Sequence, residues 1–166
     1  MSQLDTLAEK KIELTNQFAI ERYKFILDKI KFLDNQYNNY LNLFIKLLTA
    51  ILGIIISSIL ISKKGEIDAS WVRYIIEASS ALIIIISLIL IRLTTITIHS
   101  WKDYRNDEVL LLSKFEIDID RKPPSDQKEN HWNEAAFITL LWATVVSFIL
   151  TYLSSDWILT ILKLNN

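Results

Sequence analysis

An all-α integral membrane protein with about three transmembrane helices is the fold class that this sequence predicts, and three observations carry the prediction. Three apolar runs, Leu41 to Ser62, Tyr74 to Ile91 and Ala135 to Leu153, are each long enough to cross a bilayer. A helix rising about 1.5 Å per residue needs roughly 20 residues, and at least about 17, to cross a hydrocarbon core of roughly 30 Å. Charged residues make up 22% of the chain yet sit almost wholly outside those runs, which is the segregation a bilayer imposes. Only 2 Gly and 2 Pro are present in 166 residues, too few to turn the loops of a soluble domain of this length, so long helices are implied.

Residues 1–40 form the first element. No Gly or Pro occurs before Gly53, and residues 4–33 place apolar groups at helical spacing, which predicts a long amphipathic N-terminal helix. Ile26, Ile30, Leu33, Tyr37, Tyr40 and Phe44 recur in steps of three and four, a seam that runs into the first span. Such a seam needs something to cover it. It serves as a stalk for oligomerisation or partner docking, or else it lies on the headgroups or folds back on the protein's own cytoplasmic segment. From Asp34 to Tyr40, poor helix formers and interfacial tyrosines coincide, which predicts a joint at the membrane surface.

Residues 41–99 read as a transmembrane hairpin with spans at about 41–62 and 74–91. In the first span Thr49, Gly53 and Ser57 repeat every four residues on one face, and Ala143, Ser147 and Thr151 repeat the arrangement in the third. Small residues at that spacing let helix backbones approach closely, and lipid supplies no hydrophobic force that could do the same work. Both faces are therefore assigned to helix packing, either within one subunit or between subunits of a ring. Lys46, about one turn into the span, can snorkel to the headgroups as an anchor.

The second span carries a polar stripe. Arg73, Glu77, Ser80, Ser87 and Thr94 fall in one arc of roughly 100° on a helix, while Ile83, Ile85, Ile86, Leu88 and Ile89 cover most of the rest. A charge inside the bilayer is costly, so Glu77 needs a partner or water, and Arg73 four residues back can supply one. The stripe either lines the mouth and wall of a water-filled pore or combines a local ion pair with helix packing. Arg92 closes the apolar stretch.

Residues 100–134 read as a cytoplasmic helix and loop. The helical pattern continues unbroken to about Phe115, with Trp101 and Tyr104 marking the interface. Phe115 to Asp120 then alternates apolar and acidic residues, the pattern of an extended segment. Its three carboxylates lack the helper ligands and the Gly turn of a cation loop, so they read as a solvated face and no metal site is assigned. Both prolines fall in the polar loop that follows. The third span takes residues 135–153. Ser154, Ser155 and Asp156 predict a break after it, so 154–166 reads as an interfacial tail.

Orientation follows from Lys and Arg. Lys10, Lys11, Arg22, Lys24, Lys29 and Lys31 precede the first span, and Arg92, Lys102, Arg105, Lys114, Arg121, Lys122 and Lys128 separate the second from the third. The opposite side carries Lys63, Lys64, Arg73 and Lys163, which favours a cytoplasmic N-terminus. The mixed-charge stretch that holds Asp5, Glu9 and Glu13 ahead of the first run gives no basic n-region with an adjacent apolar core, which argues against a signal peptide.

Chemistry has little to work with. The chain has no Cys, which excludes disulfides, thiolate metal sites and thiol catalysis, and its net charge of −1 gives no basic surface for nucleic acid. Only His99 and His131 are available for acid–base work. Arg92 and His99 have an Arg-x6-His spacing similar to that of the helical HEPN ribonucleases, yet the Leu, Thr and Ile between them make an anchor arginine and an interfacial histidine the better assignment. No P-loop, dinucleotide fingerprint, HExxH or Ser-His-Asp order occurs. Neither an enzyme nor a cofactor is expected.

The order of elements, from the amphipathic N-terminal helix through the Leu41 to Ile91 hairpin and the cytoplasmic segment to the third span, resembles the small membrane effectors of bacterial antiphage systems. It is similar to the Pycsar membrane effectors and to the two-helix effectors of cyclic-oligonucleotide and CRISPR-accessory systems. That resemblance implies a homo-oligomer in the bacterial inner membrane that opens or perturbs the bilayer when an infection signal arrives, from a soluble cytoplasmic protein or a nucleotide. The Ile-, Asn- and Lys-rich composition fits an AT-rich bacterial genome. The alternative is a non-conducting membrane scaffold that recruits a soluble partner through its cytoplasmic segments.

Overall fold

The computed structural model describes residues 3–115 and 133–162, with side chains from residue 9 onward. It is all-α, with α1 at Gln3–Lys63, α2 at Ala69–Lys114, α3 at Asn133–Leu153 and α4 at Ser155–Ile161. At about 1.5 Å per residue, the 61 residues of α1 reach about 90 Å and the 46 of α2 about 70 Å, far more than a bilayer requires. Three helices, α1, α2 and α3, are long and apolar enough to span a membrane.

The expected joint at Asp34 to Tyr40 brings no break in α1, which runs through it, although the boundary between two compact units falls inside it, after Gln36. Asp and Asn each disfavour a helix by at most about 0.7 kcal/mol. Tyr37 and Tyr40, which pack against an apolar cluster, outweigh that cost. The predicted extended stretch at 116–120 and the loop beyond it lie outside the described residues, whereas the helix expected to reach Phe115 is present as the last part of α2.

Two compact units divide the chain, residues 1–36 with 97–128 and residues 37–96 with 129–166. In the first, Ile26, Ile30 and Leu112 are buried. Arg22 bridges to Asp107 at 3.1 Å, and the Phe25 and Tyr104 rings meet edge to face at 6.2 Å. Glu108 is fully buried on α2, bound by Arg105 one turn earlier, with the Tyr23 hydroxyl 3.5 Å away. Arg22 and Lys29 stack on the Phe25 ring.

The second unit holds the membrane bundle. Phe44 of α1, Leu90 of α2 and Phe137 and Leu141 of α3 make one core, with Phe137 in edge contact with both Tyr37 and Phe44. Val72 and Ile76 of α2 make another with Leu159 of α4. Aliphatic side chains such as Ile54, Ile56, Ile85, Ile89, Val146 and Leu150 face outward, as lipid requires.

The hairpin turn between α1 and α2 has a local cause. Gly65 adopts φ 78°, its N–H bonds the Ser62 carbonyl at 2.9 Å, and the Glu66 N–H reaches back to Ile61 at 3.3 Å. This is the Schellman arrangement, and it needs a residue free of a Cβ at the left-handed position.

The break after the third span falls at Ser154, as expected, and the tail beyond it is helical. It forms α4, whose Ser155 and Leu159 are buried against the bundle.

Candidate functional site

The inward face of α2 is built by steps of four and three. Ile76, Ser80, Ile83, Ser87, Leu90 and Thr94 are all buried, and so occupy one seam of the helix. Apolar and hydroxyl side chains alternate along it. Ser80, Ser87 and Thr94 are 0% exposed in the single chain, and their hydroxyls have no hydrogen-bond partner among the described residues. The lower part of the polar stripe therefore turns toward the chain's own helices.

Its upper part is an ionic cluster. The Arg73 Nε donates to Glu77 Oε1 at 2.7 Å, and the Ser155 hydroxyl donates to the same oxygen at 2.9 Å. Arg73 also reaches Asp156 through Nη1 at 2.8 Å. The Glu77 hydrogen bond, then the Asp156 and Glu77 charges, hold the Arg73 guanidinium even more firmly protonated than usual. Arg73 thus ties α4 to the N-terminal end of α2. The Arg73–Glu77 pair was legible as an i, i+4 spacing, but Ser155 and Asp156 were missed as its partners. The available signal was that both groups fall at the same membrane boundary once the spans are oriented.

The two small-residue faces lie elsewhere. Thr49, Gly53 and Ser57 on α1 and Ala143 and Ser147 on α3 are exposed, and Thr151 is half-buried. A Cβ added to Gly53 would meet nothing within 4 Å. Among the described residues, nothing covers Thr49, Gly53, Ser57, Ala143 or Ser147, while Thr151 is partly enclosed. The Thr151 hydroxyl donates instead to the Ser147 carbonyl of its own helix at 2.9 Å. Arg92, His99 and Lys46 are exposed, so the histidine and arginine of the ribonuclease-like spacing are not drawn into a buried site.

At the other unit, Asn16, Ala19, Ile20, Tyr23, Leu27, Leu112 and Phe115 line an open, mostly apolar groove of about 590 Å³. Sequence periodicity had marked the α1 seam but not this opening beside it. Among the described residues there is no cluster of His, Asp and Glu with the geometry to hold a metal ion.

Together these features describe a helical, multi-pass membrane architecture in which α1 and α2 are much longer than a bilayer needs. Comparison with protein-family models, curated proteins and solved structures finds no match.

Proposed function

We propose that this chain is the subunit of an oligomeric bacterial inner-membrane effector, which perturbs the bilayer when a signal reaches its cytoplasmic helical arms. The observation that carries this reading is the uncovered pair of small-residue faces. Thr49, Gly53 and Ser57 on one helix and Ala143 and Ser147 on another are exposed in the single chain, with free space above Gly53. In lipid, such faces gain most from close backbone approach and hydroxyl hydrogen bonds, and a neighbouring copy offers both. Pairing the α1 face of one copy with the α3 face of the next is a head-to-tail contact, the kind that builds a ring when the rotation between copies closes. The resemblance to the small antiphage effectors supplies the biological context.

A second reading, a non-conducting scaffold that recruits a soluble partner, is favoured by the apolar groove of the first unit. Native mass spectrometry of the protein in nanodiscs, with dye release from vesicles, tests both. A closed ring of several copies that Gly53→Leu dissociates, while helicity is kept, supports the effector. A monomer that releases no dye sinks it and leaves the scaffold.

A further inference from the structure

Hydroxyls in the spans of this chain generally close back on their own helix. Thr95 donates to the Ile91 carbonyl at 2.8 Å, Thr144 to Leu140 at 2.9 Å and Ser58 to Ile55 at 2.7 Å. Ser80, Ser87 and Thr94 depart from that habit, since each is fully buried and makes no hydrogen bond among the described residues. Unpaired hydroxyls within a bilayer are costly, and no lipid atom can satisfy them. Three of them on one face, at a regular interval, call for a common explanation.

Successive hydroxyls are seven residues apart, about 10 Å along the helix, which is too far for one to bond the next. Ile83 and Leu90, 3% and 2% exposed, stand between them on the same seam. At the outer end, one turn beyond Ser80, sits the Glu77 carboxylate, held by Arg73 and Ser155. The order from that end is thus carboxylate, hydroxyl, apolar plug, hydroxyl, apolar plug, hydroxyl.

We infer that this seam is a closed proton path inside each chain. Water is the ligand it takes on opening, Ser80, Ser87 and Thr94 are the hydrogen-bonding stations, and the buried Ile83 and Leu90 are the apolar constrictions that close it. Hydrophobic constrictions gate by excluding water, and a short file of water between hydroxyls passes a proton by successive hops. Neutral hydroxyls about 10 Å apart cannot replace the hydration shell of a metal cation, so the path selects protons over sodium. This inference rests on the effector reading for the opening signal, but the path needs one chain only and not a ring.

The test uses the full chain in liposomes with an entrapped pH dye, a pH step and a clamped membrane potential. The double variant Ile83→Ser with Leu90→Ser, which makes both plugs polar, is expected to raise proton entry about tenfold over the unsubstituted protein while a sodium dye stays silent, and adding Ser87→Leu should return entry to the starting rate. Circular dichroism checks the fold, and Ile83→Thr with Leu90→Thr serves as the opening pair if the serines lose helicity. The inference is overturned if a folded opening variant shows no proton entry, or if sodium enters along with protons. Copy number is measured on the same samples: a monomer that conducts removes the ring and keeps the path, whereas a ring without flux keeps the ring and removes the path.

Discussion

Leu140 and Leu141 are neighbours in sequence and opposites in surroundings, which makes them a sharp probe of how the bundle is held together. Leu141 is 0% exposed in the core with Phe44, Leu90 and Phe137, whereas Leu140 is 50% exposed on the outer face. In a soluble protein, truncating the buried leucine would forfeit both transfer energy and packing. Inside a bilayer the separated helices remain in hydrocarbon, so the transfer contribution nearly cancels and the cavity remains. Leu141→Ala removes about 80 Å³ of side chain, which at about 24 cal/mol per Å³ of unfilled cavity costs about 2 kcal/mol. That corresponds to about a 30-fold change in the equilibrium for separating the spans. Leu140→Ala leaves a notch that lipid chains fill, and should change stability by less than about 0.5 kcal/mol. Steric-trap unfolding in bicelles reads both. Equal losses at the two positions, or a larger loss at Leu140, would refute the assignment of faces.

Three further outcomes follow from the packing. The Tyr37 hydroxyl donates to the Asn133 carbonyl at 3.2 Å, and burial, then the Glu134 charge, push its pKa above the ordinary 10.0. A raised folded-state pKa means that this stabilisation is complete below pH 10.0 and is lost as pH climbs through the higher folded value. An alkaline melting series should show that loss, and Tyr37→Phe should remove its pH dependence. Arg73→Gln breaks the bridge to Glu77 and Asp156, and amide exchange across 155–161 should quicken by at most about fivefold, with the spans unchanged. Unchanged exchange there would leave Leu159 alone as the anchor of α4. In the first unit, Ile26→Ala truncates a side chain 1% exposed, and should cost about 2–5 kcal/mol of local stability, read as faster exchange along both of its helical arms.

The spans were legible because hydropathy and length suffice for them. The inward seam was half legible. Periodicity put Ser80, Ser87 and Thr94 on one face, but no single-helix pattern says whether that face meets water, a second copy or the chain's own helices. The same ambiguity hid the fate of Gly53, since small residues at four-residue spacing serve contacts within a subunit as readily as between subunits. The α1 joint marks a boundary between units without a helix break, because local propensity is a weak prior that packing at Tyr37 and Tyr40 overrides. The docking of α4 was invisible for another reason. Seven residues are too few to show a helical period, and the Ser155 to Glu77 contact joins positions 78 residues apart.

The tight connection between α1 and α2 bears on how the protein reaches its membrane. Only residues 64–68 separate the two helices, closed by the Gly65 turn. So short a link, carrying only a handful of polar groups such as Lys64, Glu66 and Asp68, keeps the two spans side by side from the start. The two spans can therefore enter together as a preformed hairpin, satisfying their backbone hydrogen bonds before they leave water. A longer or stiffer connection would tax biogenesis before it touched the finished fold.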